Sequence, residues 1–439
     1  MSTSARPPAF SFRLAKALQA RGLHYGWVVA AATFITMLAT AGALGSAGVM
    51  IEPLQKEFGW ANADISFALA VRFVLFGLMA PFAAAFMNHF GVRKVVTVAL
   101  GMIATGLVLS FAMTEIWQLV LLWGVIIGFG TGMTALVLGA TVATRWFTER
   151  RGLVVGMMTA SNATGQLVFL PLLASLTTSF GWRDALTVVL VALGLAFCLI
   201  MLLMRDYPGD VGLAPYGESF AQKPPRQATS LASLLASPIV ALRDAAQTWT
   251  FWVLFFTFYV CGLSTNGLIQ MHWITLCGDF GVTPVSAAGA LAVIGVFDFF
   301  GTILSGWLSD RYDNRWLLFA FYGLRGLSLI YLPFSDFNVY SLSVFAVIYG
   351  LDWVATVPPT VKLSVERFGK ERAAVTFGWI FTGHQLGAAT AAFGAGTTRT
   401  LFDTYLPALY VSGSFCILAA LLVMTMARPL RMKTAQAAA

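Results

Sequence analysis

Apolar runs of about twenty residues, the length a helix needs to cross a ~30 Å hydrocarbon core, recur along the whole chain. They begin near Tyr25, Asp64, Val95, Ile116, Leu153, Asp184, Thr250, Val285, Trp316, Val339, Ala373 and Tyr405. Short polar loops separate them. Segments of about ten residues alternating apolar and polar, which a membrane barrel needs, do not occur. The pattern predicts an all-α polytopic membrane protein with twelve transmembrane helices. One interval is long: residues 205–249 begin RDYPGDVGLAPYGESFAQKPPRQ, a composition that cannot bury a core and reads as a linker. Its later part, SLLASPIVALRDAAQTW, fits a short amphipathic helix on the membrane surface.

On either side of that linker the sequence repeats. The stretch GTILSGWLSDRYDNR at 301–315 aligns without gaps on MAPFAAAFMNHFGVR, 222 residues earlier, and sets Asn88 at Asp310, His89 at Arg311 and Arg93 at Arg315. At the same offset Trp27 falls on Trp249, Gly45 on Gly267, Gly128 on Gly350, Arg150 on Arg372, Gly156 on Gly378 and Gly165 on Gly387. A register kept over most of the chain marks a duplication. The expected organisation is an N-terminal tail (1–24), a six-helix bundle (25–204), the linker (205–249), a second, pseudo-symmetric six-helix bundle (250–427) and a C-terminal tail (428–439).

Composition supports the membrane reading: 58% of residues are hydrophobic and 10% charged, with mean hydropathy +0.79, against roughly 25% charged in an ordinary soluble domain. The net charge of +8 does not signal nucleic acid, because its placement accounts for it. Of 27 Lys and Arg, 22 fall in the tails, the linker and the loops on the N-terminal side of the membrane, and Lys56, Arg183 and Arg399 fall on the other side. The positive-inside rule then puts both termini in the cytoplasm and the chain in the cell inner membrane. The polar, basic first 24 residues and a first span too long for a signal peptide argue against a cleaved leader. Cys198, Cys261, Cys277 and Cys416 lie in apolar segments without CxxC spacing and are read as core residues, with no metal or cofactor expected.

Two arginines and two acids sit inside spans, at a cost of about 2.5–3.5 kcal/mol each unless they are paired or face water. Arg325 is expected to pair with Asp298 or Asp352. The acid left over, held in a low-dielectric cavity, is a candidate for taking up and releasing a proton in each cycle, and the role is open to both. Arg72 offers a planar fork suited to a carboxylate; the other readings are a pair with Glu52 or a cap on the outer gate. Asn162 and Gln166 in the fifth span, Asn266 and His272 in the seventh, Arg325 in the ninth, and His384 and Gln385 in the eleventh are further candidates to meet substrate. The amides and histidines equally suit hydrogen bonds that tie helices together. STNG at 264–267 interrupts its helix as segments beside a cavity do, and VPP at 357–359 bends the tenth. In the inner loops Arg93, Arg150, Arg151, Asp310, Arg311, Arg315, Glu366 and Arg372 are candidates for gating pairs that hold the outward-open state and break on opening inward. The alternative is solvated charge that serves topology only.

Gly306, Asp310, Arg311 and Arg315 resemble the loop between the eighth and ninth helices of the major facilitator superfamily, and the likeness extends over nearly the whole chain. The copy between the second and third helices is degraded, with Ala84 and Asn88 in place of Gly and Asp. HYGW at 24–27 and RWFTERRGLVVGMMTASNATG at 145–165 resemble the monocarboxylate porter branch, which includes bacterial organic-acid carriers. An acid in the eighth helix, Asp298, is similar to that branch, while Thr302 stands where the branch commonly has an arginine. The resemblance implies two halves enclosing a site near mid-membrane, lined most closely by helices 1, 4, 7 and 10 and exposed alternately to each side by rocking. It implies a secondary transporter that carries a small organic anion of monocarboxylate type with protons and works as a monomer. Gly124 stands where drug/proton antiporters of the superfamily usually carry arginine; efflux of a hydrophobic drug-like compound is the alternative, with proton-independent exchange of organic anions as a third reading. No GxxxxGK[ST] phosphate loop, HExxH or GxSxG is present, so neither an ATP-driven pump nor an enzyme is expected.

Overall fold

The computed structural model describes residues 9–218 and 230–427, except for the side chains at 9, 84, 136, 151, 152, 159, 162–164, 166, 167, 231, 233, 234, 370, 371 and 374. Among the described residues twelve long helical segments run in two sets of six. The first set is α1 (Gly26–Phe58), α2 (Asn62–Phe90), α3 (Val92–Ser110), α4 (Ile116–Trp146), α5 (Arg151–Phe180) and α6 (Trp182–Leu203). The second is α7 (Trp249–Asp279), α8 (Pro284–Ser309), α9 (Asn314–Tyr331), α10 (Val339–Phe368), α11 (Lys370–Phe402) and α12 (Leu406–Val423). Each starts within three residues of the position the apolar pattern predicts.

The duplication is visible in the fold. α3 begins at Val92 and α9 at Asn314, 222 residues on, and the same interval separates the starts of α2 and α8. Helices α4 and α10 are both broken midway, α4 at Thr134–Ala135 and α10 at Trp353–Thr356. In α10 Pro358 and Pro359 follow the break, and neither can donate a backbone hydrogen bond to the preceding turn. The STNG interruption takes the form of a π-helical stretch, Leu263–Gln270, within a continuous α7, a deviation that often accompanies functional sites. Gly91 and Gly181, at φ 91° and 94°, let α2 turn into α3 and α5 into α6 through a single residue, a backbone region that side chains with a Cβ disfavour.

Small residues set the helix contacts, because in lipid it is close packing, rather than expulsion of water, that joins helices. Along α4, Gly124, Gly128 and Gly132 stand against the α2 backbone at Ala68, Arg72 and Phe76; a Cβ on any of them would lie 3.0–3.1 Å from those carbonyl oxygens. This stripe seats α2 and hence orients Arg72. Where α7 crosses α11, a Cβ at Gly262 would overlap the His384 carbonyl and one at Gly387 the Tyr259 carbonyl. Gly262→Ala is expected to force these helices apart at a cost of about 1–3 kcal/mol, seen as a lower thermal midpoint of the detergent-solubilised protein. An unchanged midpoint would mean that the crossing has slack.

Between the two sets of helices, α2 packs on α11, α5 on α8, and α1 on α7. Two surface helices lie on the face where the chain passes from one set to the other, here termed the linker face. Ala9–Gln19 rests near the end of α6, with Arg205 Nε donating to Ser11 Oγ at 2.9 Å. Leu231–Ala246, the amphipathic helix the sequence predicts, lies across α2, α7 and α11, with Trp379 Nε1 donating to the Pro238 carbonyl at 2.8 Å. The opposite face is closed between the halves: Asn62 Nδ2 donates to Tyr405 Oη at 3.0 Å and Ala63 N to Thr400 Oγ1 at 3.2 Å. The cysteine reading is corrected at one position. Cys261, Cys277 and Cys416 are buried, but Cys198 is exposed on α6, a helix apolar on every side whose lipid face the hydrophobic pattern cannot single out.

Candidate functional site

A cavity of about 440 Å³ lies between the halves. It extends from Gln270 and Met271 beneath the closed face to Gly306 and Trp307 near the linker face. Helices α1, α4, α7 and α10 line it as the resemblance implies, and α2, α5, α8 and α11 do so as well. Among the described residues its charged and imidazole groups come from this second group, with Arg72 on α2, Asp298 on α8 and His384 on α11, while the Cys261 thiol on α7 also reaches the wall.

Arg72 is fully buried yet has no acid within ion-pair distance among the described residues. Its Nη2 reaches the Met271 thioether at 3.8 Å, and Nε and Nη1 have no hydrogen-bond partner. The alternative partner Glu52 is engaged by Lys56 at 2.5 Å. A guanidinium always carries its charge, and burying one without a counter-charge is strongly unfavourable. The site therefore presents a cation in want of an anion.

The two membrane acids fall into different places. Arg325 pairs with Asp352, Nε to Oδ2 at 2.7 Å, and neither lies on the cavity wall. Arg325 also donates to the carbonyls of Asp352 at 2.5 Å and Trp353 at 3.1 Å, and to Cys261 Sγ at 3.0 Å. Asp298 does line the cavity, and its Oδ1 accepts from the Val354 backbone N–H at 2.9 Å and from Thr302 Oγ1 at 3.1 Å. Ser305 Oγ donates to the Ala355 carbonyl at 2.5 Å. These contacts share one cause: the break in α10 frees backbone groups at 352–355, and inside a membrane freed groups must be satisfied by neighbours. Arg325, Asp298 and Ser305 are those neighbours. Thr302, where the resembling branch has arginine, instead braces Asp298.

His384 stacks on Phe381, centroids 5.6 Å apart and planes within 6°, and lies 5.0 Å from Phe258. Gln385 Nε2 lies 3.3 Å from His384 Nδ1, and its Oε1 is unpartnered. Asn266 also lines the cavity. His272 does not: its Nε2 meets the Ala392 carbonyl at 2.9 Å and its ring lies 5.1 Å from that of Tyr405, which places it in the closed face. The side chains of Asn162, Gln166 and Arg151 lie outside the described residues.

On the linker face the charged residues pair within a half or with the linker helix. Asp310 is held by Lys362 at 3.0 Å, Arg315 by Asp313 at 2.7 Å, and Arg372 by Asp244 of the linker helix at 3.2 Å. Arg311 lies over the Trp307 ring at 4.1 Å. Arg93 Nη2 donates to the Met201 carbonyl at 2.6 Å, Arg150 sits 5.9 Å from the Tyr216 ring, and Glu366 is exposed. Among the described residues no ion pair joins the two sets of six helices. The two motifs that carry the branch resemblance meet here: Tyr25 packs 5.9 Å from Trp146, and Trp27 packs 5.0 Å from Phe147. His24 bridges to the Ala214 carbonyl at 2.9 Å, and burial pushes its imidazole below its ordinary value. The aromatic ends of these motifs clasp α1 and α4 together, while Gly156 and Ala160 of the second motif reach the cavity wall.

The sequence marks the seventh and eighth helices as rich in aromatics, but the share of α11 in the aromatic lining escaped it, although one signal was available: Phe377, Phe381 and His384 recur at the helical spacing that puts them on one face of α11.

Residues 29–392 and 271–437 match the Major Facilitator Superfamily. The chain is 23% identical over 388 residues to the MFS-type transporter YcxA of Bacillus subtilis (strain 168), covering 87% of this chain and 90% of that protein. It is 25% identical over 397 residues to monocarboxylate transporter 13 of Rattus norvegicus, covering 90% and 87%. Over 317 residues it is 29% identical to monocarboxylate transporter 11 of Homo sapiens, covering 70% and 61%. Among solved structures, a D-xylose–proton symporter superposes with a TM-score of 0.70 at 14% identity, covering 92% of this chain and 98% of that one; a likeness at that identity bears on the fold.

Proposed function

The chain belongs to the Major Facilitator Superfamily, whose members and this chain's relatives are transporters rather than enzymes, and on that premise we propose that it carries a small organic anion of monocarboxylate type across the cell inner membrane together with protons. One observation carries the reading: Arg72, a buried guanidinium on the cavity wall with two unpartnered nitrogens. A carboxylate entering the cavity supplies the missing counter-charge and meets the planar fork in the bidentate geometry that strengthens such pairs. Both termini are cytoplasmic by the placement of charge, so the closed face is the outer one and this conformer faces inward. The two halves then work as one monomer by rocking about α2–α11 and α5–α8. On closing at the linker face, Asp310, Arg315 and Arg372 exchange their present partners for partners across the halves, so that the same charges favour one state and then the other.

Asp298 is the acid left for the proton, since Asp352 is committed to Arg325. It stands on the wall and also holds the Val354 N–H at the break in α10, so its protonation alters both the charge of the cavity and the bracing of a gate helix. In proteoliposomes Asp298→Asn is expected to retain anion exchange while losing accumulation driven by a pH gradient. Accumulation equal to that of the unaltered protein would remove Asp298 from the coupling. Export of an uncharged drug-like compound draws on the aromatic wall, but it leaves Arg72 without a role.

A further inference from the structure

We propose that the cavity selects organic anions with a flat aromatic body over short-chain acids of the size of acetate or lactate. The inference rests on Arg72 as the carboxylate anchor and adds what the rest of the substrate must be. Five rings form a continuous ladder through the cavity wall. Phe76 meets Phe381 at 5.8 Å, Phe381 stacks on His384 at 5.6 Å, His384 lies 5.0 Å from Phe258, and Phe258 lies 5.8 Å from Phe377. All five line the cavity. Arg72 and Phe76 are four residues apart on α2, so they share a face with a rise of about 6 Å between them. A carboxylate on Arg72 therefore puts the rest of the molecule beside the ladder's first ring.

The polar inventory of the opposite wall supports the same choice. The hydroxyls of Thr40, Thr131 and Thr134 donate to carbonyls of their own helices, so among the described lining residues the polar donors free for a ligand are a few amides, Asn266, Gln270 and Gln385, rather than a row of hydroxyls. Among the described residues Arg72 is the one lysine or arginine that lines the cavity, so a second carboxylate on the ligand meets no cation among them. The cavity of about 440 Å³ falls in the ~300–1,000 Å³ range of pockets that enclose drug-sized ligands, several times what a three-carbon acid fills. Aromatic side chains favour offset and edge-on neighbours, and the tilts along this ladder, from 6° to 69°, offer both face and edge to a ligand ring.

The test uses the purified full-length protein in proteoliposomes, with binding measured by competition and by thermal shift. The probes are 3-phenylpropionate, acetate, lactate, succinate and the neutral 3-phenylpropionamide. Burial of one ring is expected to make 3-phenylpropionate bind about 30-fold more tightly than acetate or lactate, with succinate no better than acetate and the amide at least 30-fold weaker than the acid. Phe381→Leu and Phe377→Leu keep apolar volume and remove the ring face; each is expected to narrow the ratio of 3-phenylpropionate to lactate affinity several-fold in protein that still melts cooperatively. Lactate or acetate binding as tightly as 3-phenylpropionate would overturn the selectivity while leaving the carboxylate anchor standing. The amide binding as tightly as the acid would overturn the anchor itself. A ratio unchanged in both leucine variants would overturn the ladder as its source.

Discussion

Replacing Arg72 with glutamine is expected to lower anion uptake by at least about 100-fold while leaving the folded protein as stable as before, or more so. The two halves of that expectation have the same origin. A charge-assisted bidentate contact contributes more than a neutral hydrogen bond, and its loss leaves the carboxylate desolvated with no partner, a combined effect of about 3 kcal/mol or more. In the unliganded protein the same guanidinium is wholly buried with Nε and Nη1 unpartnered, so removing its charge relieves a desolvation cost. Uptake in proteoliposomes and the thermal midpoint in detergent, measured on the same preparation, separate this from a merely structural arginine, for which both would fall together. Arg72→Lys retains the charge without the fork and should recover only part of the uptake. Normal uptake by Arg72→Gln would end the anchoring role.

The opposite signature is expected at Arg325. Arg325→Met leaves the Asp352 carboxylate buried without its cation and frees the carbonyls of Asp352 and Trp353 that the guanidinium now satisfies. Breaking a buried pair from one side costs about 3–5 kcal/mol, which for a chain of 439 residues corresponds to a fall in thermal midpoint of roughly 3–5 °C. Asp352→Asn should cost less, because Arg325 would keep its contacts with the carbonyls at the break in α10. Combining the two changes should destabilise by less than the sum of the single effects, the mark of groups in contact. Any loss of transport should follow the loss of folded protein. An Arg325→Met midpoint within about 1 °C of the unaltered protein's would show that the pair holds nothing together.

The spans, their order and the duplication were legible in the sequence because the bilayer imposes a rule the chain cannot evade. Each crossing must be a helix of about twenty apolar residues, since only a helix satisfies its own backbone there. The rule reached even α11, which carries Gln385, His384 and a run of Thr and Gly; its place followed from the offset of 222 residues as much as from hydropathy. The chemistry of the site was legible as residue types, Arg72, Asp298, Arg325, Asp352, His384 and Gln385, because ionisable and amide groups inside spans are rare and costly.

The partners of those groups were not legible, and the reason is geometric. Asp298 and Asp352 lie at similar depth on neighbouring helices in the chain of contacts, and hydropathy does not say which way each helix is rotated. Packing decided it: Gly301 and Gly350 bring α8 and α10 into close contact, the break in α10 offers its carbonyls to Arg325 on one side and the Val354 N–H to Asp298 on the other, and only Asp298 is left facing the cavity. The linker-face charges repeat the lesson. Asp310 stands beside Arg311 in sequence but pairs with Lys362, 52 residues on, because adjacent side chains do not face each other and loops fold back on neighbouring elements.

By itself the sequence determined that this chain crosses a membrane twelve times in two related halves, and that a few ionisable groups had to be turned away from lipid. The spans and the turning inward of ionisable groups follow from solvation, which each stretch of chain experiences independently, and the kinship of the halves from a register of matching residues kept along the chain. The tertiary structure alone decided which cation stands unpaired, which acid faces the cavity and which rings from α2, α7 and α11 join into one wall. These depend on helix rotation and close approach between elements far apart in the chain, quantities that no local pattern encodes.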